Sequence, residues 1–165
     1  MKNGDIINLT ALSMCAHNGT HVDAPLHFIA DGKAIDQLPL DAFVGDCYVA
    51  RHEGDVTGAD AKAILKAAEA LGAAQRILIA GKATVTAEAA QVFVDAQVRL
   101  VGNESQTVGP ENAPMQVHLL LLGAGIVLLE GVVLTHVEPG KYFLSAAPIN
   151  VAGSEGSPCR AYLIR

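Results

Sequence analysis

Residues 76–102 read RILIAGKATVTAEAAQVFVDAQVRLVG, and they hold the clearest periodic pattern in the chain. The run 76–80 is short, apolar and typical of a buried strand, and the run 99–102 resembles it. Between them, Thr86 precedes apolar residues at helical spacing, which indicates a helix that Thr86 caps. Two strands joined through a helix pair in parallel within one sheet. This stretch therefore predicts an α/β fold.

The same alternation of helices and strands extends in both directions from this stretch. The further predicted elements are a helix from Thr57 or Asp60 to Gly72, a helix over 113–122, and extended segments at 43–44, 48–50, 126–129, 142–147 and 160–164. No linker interrupts the pattern. We therefore expect one mixed α/β domain over residues 1–165, with a β-rich first third.

The composition is apolar and mildly acidic. The 165 residues are 51% hydrophobic and 17% charged, which excludes a disordered chain. Seventeen acidic against eleven basic side chains give a formal net charge of −6. This balance disfavours nucleic acid and anionic membrane surfaces as partners, because both carry negative charge. We expect a small-molecule substrate or another protein instead.

Location and assembly are predicted from three further features. The apolar run at 119–129 is about half the ~20 residues of a membrane-spanning helix, and the first residues lack the apolar core of a secretory signal. Both features predict a cytoplasmic protein.

Cys15, Cys47 and Cys159 form no Cys-x-x-Cys pair, so we interpret them as buried free thiols. A mean hydropathy of +0.34 on so short a chain predicts a homodimer or a higher homo-oligomer.

The most informative stretch for function is HNGTHVDAPLHF, which begins at His17 and holds three of the six histidines. Gly19 permits a tight turn and Pro25 disfavours a helix before it, so the stretch is loop or extended. In an extended segment, His21 and Asp23 point to the same side. With His17 folded back over the turn, they offer two imidazoles and a carboxylate, a ligand set suited to Zn²⁺, Mn²⁺ or Fe²⁺.

Three protein ligands leave coordination positions open, which is the arrangement of a catalytic rather than a structural metal site. A divalent cation held in this way lowers the pKa of its bound water to about 7 and polarises a carbonyl group. The sequence therefore predicts hydrolysis by metal-activated water. His27, four residues after Asp23, is interpreted as the proton shuttle of this reaction, with the role of a further metal ligand as the alternative.

These residues resemble the motif of a known family. The pattern His-x-Gly-Thr-His-x-Asp-x-Pro-x-His, complete from His17 to His27, is similar to that of the metal-dependent cyclase family, which includes bacterial kynurenine formamidase and isatin hydrolase. His118 and Glu130 resemble the histidine and glutamate that complete the family's metal site. The resemblance continues through the residues at 139–142, 147–149 and 157–161.

The resemblance implies a fold and a ligand set. The fold is the swivelling β/β/α cyclase-like domain with a mixed sheet, usually assembled as a dimer or larger. In such a site, His17, His21 and Asp23 hold one metal ion, and Asp23 also bridges to a second ion held by His118 and Glu130.

The resemblance also implies an activity. It is the hydrolysis of an amide or related acyl bond in a small molecule, as in arylformamidase, with one or two Zn²⁺ or Mn²⁺ ions per subunit. With a single ion, His118 pairs instead with His27 in proton transfer. Two alternatives are a hydrolase of cyclic amides or lactones, and a metal-bound binding protein without turnover.

The sequence departs from the family pattern in two regions. The similarity begins at Gly4, so we expect this chain to lack the family's usual N-terminal segment, which commonly helps to wall the substrate pocket. The region 102–110 differs from that of formamidases, and within it Glu104 and Gln106 are candidate substrate-binding residues. Their alternative role is hydrogen bonding in a turn and at the entry to a helix.

Overall fold

The computed structural model describes Gly4 and residues 6–165. Among these residues, no helix is both long enough and apolar enough to cross a membrane. The α-helices are α1 (Gly58–Ala70), α2 (Ala87–Asp95) and α3 (Met115–Gly123), and three short 3-10 helices lie at Pro25–His27, Ile35–Gln37 and Leu40–Ala42. The strands are β1 (His21–Asp23), β2 (Val44–Arg51), β3 (Gly54–Val56), β4 (Arg76–Ala80), β5 (Ala83–Val85), β6 (Leu100–Asn103), β7 (Val127–Glu130), β8 (Gly140–Ser145), β9 (Gly156–Pro158) and β10 (Tyr162–Ile164).

Eight strands form one sheet in the spatial order β10-β8-β2-β4-β6-β7-β1-β9. Its centre, from β2 to β7, is parallel, and the flanking strands pair antiparallel. β3 and β5 form a separate parallel pair. The predicted parallel pairing of 76–80 with 99–102 is confirmed, because β4 and β6 pair in parallel with Arg76 opposite Leu100 and Ile79 opposite Asn103. The expectation of an α/β fold with a mixed sheet is confirmed with it.

The centre of the sheet is buried on both faces. On β4, Ile77 and Ile79 join the apolar cluster that contains Phe93 of α2. Leu78, between them, joins a second cluster that contains Phe43. Each fully buried side chain of this size stabilises the fold by roughly 1.5–3 kcal/mol. Because both faces are covered, the strand is a continuous apolar run and does not alternate with polar residues.

The ends of the helices follow the predicted caps. The Thr57 hydroxyl accepts a hydrogen bond from the Asp60 amide, and the Asp60 carboxylate accepts one from the Thr57 amide. Thr57 is therefore the N-cap of α1, and Asp60 completes a capping box. Thr86 is the N-cap of α2, and its hydroxyl accepts a hydrogen bond from the Ala89 amide. Gly72 follows α1 with a φ of 64°, the left-handed conformation that ends many helices.

The structure differs from the sequence-based expectations at three places. Val44 and the extended segment at 48–50 belong to one strand, β2, whereas Phe43 lies just before it. The pair of β3 and β5 was not expected, because strands of three residues are too short to show a period. The interpretation of Cys15 as a buried thiol is wrong: residues 6–15 run along the surface with exposed side chains, whereas Cys47 is buried.

Candidate metal centre

Two neighbouring strands place three ionisable side chains together. The chain at His21 and Asp23 is extended, as expected, and forms β1. β1 pairs antiparallel with β7, with His21 directly opposite Glu130. The three side chains are almost completely buried, with at most 4% of their surface exposed. The sheet register therefore brings together a histidine and two carboxylates from two segments that are distant in the sequence.

The helix α3 contributes a second buried imidazole. His118 Nε2 lies 3.3 Å from Glu130 Oε1 and 3.6 Å from Asp23 Oδ2. On the other side, His21 Nε2 lies 3.4 Å from Asp23 Oδ1 and 3.4 Å from Glu130 Oε2. Each carboxylate thus spans the gap between the two imidazoles. Glu130 is further fixed because its Oε1 accepts the amide of Val108 at 2.8 Å.

The outward nitrogens of these two imidazoles are held by backbone carbonyl groups. His21 Nδ1 lies 2.8 Å from the Gly19 carbonyl oxygen, and His118 Nδ1 lies 2.9 Å from that of Pro114. Because a carbonyl oxygen only accepts, both Nδ1 atoms carry a proton. In the neutral imidazoles, the Nε2 lone pairs then face the carboxylates. These lone pairs repel the carboxylates unless a proton or a cation lies between them. A hydrogen bond from the outward nitrogen to a backbone carbonyl oxygen is typical of histidines that bind metals.

His17 and His27 lie at the solvent side of this cluster. His17 Nδ1 contacts Asp23 Oδ1 at 2.7 Å. The rings of His17 and His27 are stacked with centroids 3.9 Å apart, and the His27 centroid is 6.3 Å from that of His118. His27 is half-buried, and Phe28 packs against both it and His118. The four histidines and the two carboxylates therefore form one site.

The charges in this site are strongly coupled. Burial opposes a charge on His21, but its contacts with Asp23 and Glu130 outweigh burial and raise its pKa to about 10. The same competition raises the pKa of His118 to about 9. Burial opposes ionisation of Asp23, but contacts with His118 and His17 prevail and hold its pKa well below the usual range. The site thus strongly favours positive charge beside its carboxylates.

The donor set and its unsatisfied atoms fit a divalent cation. Asp23 Oδ2 is buried and has no hydrogen-bond partner. Two groups of side chains, each with ligand atoms within 4.8 Å of one another, have the composition of a metal site. They are His21, Asp23 and Glu130, and His17, Asp23 and His27. Imidazole and carboxylate ligands suit Zn²⁺ and Mn²⁺.

The two predicted substrate-binding residues have other surroundings. Glu104 accepts the amide of Gly81 at 2.6 Å and the amide of Leu134 at 2.8 Å. Both carboxylate oxygens therefore accept amides of loops that are distant in the sequence, and a role of Glu104 in substrate binding stays a prediction. Gln106 is exposed, and its role in substrate binding stays a prediction.

Sequence reasoning missed two neighbours of His17. Glu155 Oε1 lies 3.4 Å from His17 Nε2. A Cβ atom on Gly156 would lie 2.5 Å from His17 Cε1, so the ring occupies space that only glycine leaves free. No motif spacing signals this contact, because it depends on β9 pairing with β1.

Comparison with known proteins identifies the family. The model of the putative cyclase family matches residues 3–110, which is more than half of the chain. This chain belongs to the putative cyclase family. The matched region contains the whole motif from His17 to His27, and the relatives described next also cover the second half of the chain.

Two similar proteins carry the same name. The chain is 37% identical to a kynurenine formamidase of Salinibacter ruber, over 95% of this chain and 80% of the relative. It is 31% identical to a kynurenine formamidase of Delftia acidovorans, with the same coverage of both chains. The match therefore includes the region of α3 and β7.

Solved structures of cyclase-like proteins show the same fold. A potential metal-dependent hydrolase with cyclase activity superposes with a TM-score of 0.78 at 28% identity, over 92% of this chain and 80% of that one. Isatin hydrolase A of Labrenzia aggregata, bound to benzyl benzoate, superposes with a TM-score of 0.73 at 24% identity, over 90% of this chain and 73% of that one. The expectation of a cyclase-like fold is confirmed.

Proposed function

We propose that this cyclase-family protein is a metal-dependent hydrolase of a non-peptide C–N bond, with an aryl formamide as its substrate class. The observation that carries the proposal is the pair of buried carboxylates, Asp23 and Glu130, facing the Nε2 atoms of His21 and His118. The similarity to kynurenine formamidases over nearly the whole chain supports the formamide class over cyclic amides.

The metal ligands of this proposal are His17, His21, Asp23, His118 and Glu130. Asp23 is central, because its Oδ1 faces His17 and His21 while its Oδ2 faces His118. This arrangement supports one or two ions, with Zn²⁺ or Mn²⁺ as the proposed metals. When bound, such a cation polarises the substrate carbonyl and makes water a nucleophile near neutral pH.

His27 is the proposed proton shuttle. Burial lowers its pKa, so the imidazole is neutral at pH 7 and able to accept a proton from the attacking water. Its partial exposure and its stacking on His17 support a contact with the substrate. His27 then transfers this proton to the leaving amine nitrogen. If only one ion is bound, His118 assists this proton transfer.

We also propose that the protein is a homo-oligomer. The surface segment 6–14 exposes large apolar side chains, at Ile6, Ile7, Leu9, Leu12 and Met14. Exposed apolar clusters of this kind are commonly covered by another subunit. Light scattering coupled to gel filtration measures the molar mass, and a monomer at all concentrations would contradict the proposal. A cytoplasmic location stays a prediction.

The test of the proposed function combines metal analysis with a substrate panel. The purified protein is loaded with Zn²⁺ or Mn²⁺ and assayed against formanilides, cyclic imides and lactones. We expect hydrolysis of the formanilides, and loss of both metal and activity in His21→Ala. Bound metal without turnover of any substrate would instead indicate a binding protein. No bound metal in the wild type would refute the proposal.

A further inference from the structure

The imidazole of His17 is held differently from those of His21 and His118. The outward nitrogens of the latter two each donate to a backbone carbonyl oxygen. His17 has no such carbonyl: its Nδ1 contacts Asp23, and its buried Nε2 has no hydrogen-bond partner. The nearest carboxylate to this Nε2 is that of Glu155, at 3.4 Å.

The backbone around Glu155 is anchored to the centre. The Ala24 amide donates to the Glu155 carbonyl oxygen at 2.9 Å, and the Ile35 amide donates to the Ser154 carbonyl oxygen at 2.9 Å. The next residue, Gly156, lies opposite Asp23 in the sheet. These bonds tie the position of Glu155 to the strand that carries two of the proposed ligands.

Packing confines the His17 ring to the same place. The absence of a side chain at Gly156 leaves room for the ring, and His27 stacks on it at 3.9 Å. The Glu155 side chain is 45% exposed, whereas that of His17 is 18% exposed, so Glu155 has more freedom to reorient. A small rotation of this partly exposed side chain would bring the carboxylate within hydrogen-bond distance of Nε2.

We propose that Glu155 is a positioning residue that orients His17 for metal binding. Its carboxylate accepts the Nε2–H of His17, and this bond leaves the Nδ1 lone pair directed at the cation beside Asp23. A carboxylate that accepts from the far nitrogen fixes the tautomer and increases the basicity of a metal-binding histidine. The inference rests on the proposed metal site, and it gives each of the three ligand histidines an acceptor on its outer nitrogen.

The test measures Zn²⁺ affinity by chelator competition in Glu155→Ala and Glu155→Gln. We expect the dissociation constant to rise about 10–100-fold in Glu155→Ala, the usual effect of removing such a partner. Glu155→Gln retains an oxygen acceptor and should recover most of the affinity. The control is Glu69→Ala, which removes an equal charge from the exposed surface of α1.

A second measurement separates orientation from charge or folding. In the zinc-loaded wild type, we expect a proton NMR signal from the His17 Nε2–H, and its shift or loss in Glu155→Ala. The unfolding midpoint of the metal-free variants shows whether they fold. Zinc affinity of Glu155→Ala within twofold of wild type would overturn the inference, as would equal losses in the Ala and Gln variants. A wild type that binds no zinc would refute the proposed function, on which the inference depends.

Discussion

His27 shows how one side chain separates metal binding from proton transfer. Its ring is half-buried against His17 and Phe28, and burial keeps it neutral at pH 7. Its ligand atom also lies within 4.8 Å of those of His17 and Asp23, which is the geometry expected of a further ligand. The two roles predict different outcomes when the imidazole is removed.

We expect His27→Gln to retain bound metal and to lower kcat by about 10²–10⁴-fold, the usual contribution of a general acid–base group. Elemental analysis and steady-state kinetics measure the two quantities. His52→Gln is the control, because His52 contacts the Asp55 carbonyl outside the centre. Loss of metal from His27→Gln would make His27 a ligand, and unchanged kcat would remove it from the reaction.

The sequence was sufficient to predict the relative positions of site residues that are close together in the chain. His21 and Asp23 are two apart in an extended segment, and β1 does place them side by side. Glu155 could not be predicted, because its proximity to His17 depends on β9 pairing with β1. Glu104 was predicted to contact a substrate, yet its oxygens accept two loop amides. These contacts could not be predicted, because they join segments that are distant in the sequence.

At the scale of elements, the spacing of β6 and β7 controls the position of Glu130. Gly102 on β6 lies opposite Leu129 on β7. A Cβ atom at Gly102 would lie 2.6 Å from the Leu129 carbonyl oxygen, which is backbone and cannot move alone. Any added side chain must therefore displace β7, which carries Glu130 at its end.

We expect Gly102→Ala to destabilise the fold by about 1–3 kcal/mol, the usual cost of overpacking, and to weaken zinc binding. Thermal unfolding and chelator competition measure the two effects. In the control Gly123→Ala, the new Cβ meets only Ile29 Cδ1, at an ordinary 3.8 Å. If the two variants had equal stability and affinity, the spacing of β6 and β7 would not control the site.

Elements with a strong local signal were predictable from the sequence. Thr57 and Thr86 cap helices because their hydroxyls satisfy amides within the same turn, and residues 76–80 form β4 with the expected bounds. The short strands β3, β5 and β9 are defined by their pairing partners. Their existence therefore follows from the assembled sheet, which no short window of sequence contains.

For the whole molecule, the centre links stability to pH. The pKa of His21 is raised to about 10 and that of His118 to about 9, from an ordinary value of 6.5. The folded protein therefore binds these protons more tightly than the unfolded chain. This stabilisation is complete below about pH 6.5 and is lost as the pH rises towards 9 to 10.

We expect Tm of the metal-free protein to fall between pH 6.5 and pH 9, measured by calorimetry. Burial raises the pKa of Cys47 to about 12, so this thiol adds a similar loss only above its ordinary value of 9.0. Zinc at 100 times its dissociation constant should stabilise the fold by about 2.7 kcal/mol at a given pH. A metal-free Tm that is constant over this range would contradict the coupling of these histidines to the buried carboxylates.

The hydrogen bond from the Thr20 hydroxyl to the Gly131 carbonyl oxygen joins residues 111 positions apart, immediately beside the centre. Protein synthesis proceeds from the N-terminus, so His17, His21 and Asp23 leave the ribosome long before α3 and β7 have been made. A cation can acquire its complete set of ligands only after translation has passed Glu130. We therefore expect metal insertion to be a late event in the maturation of this protein, after the parallel strands have assembled.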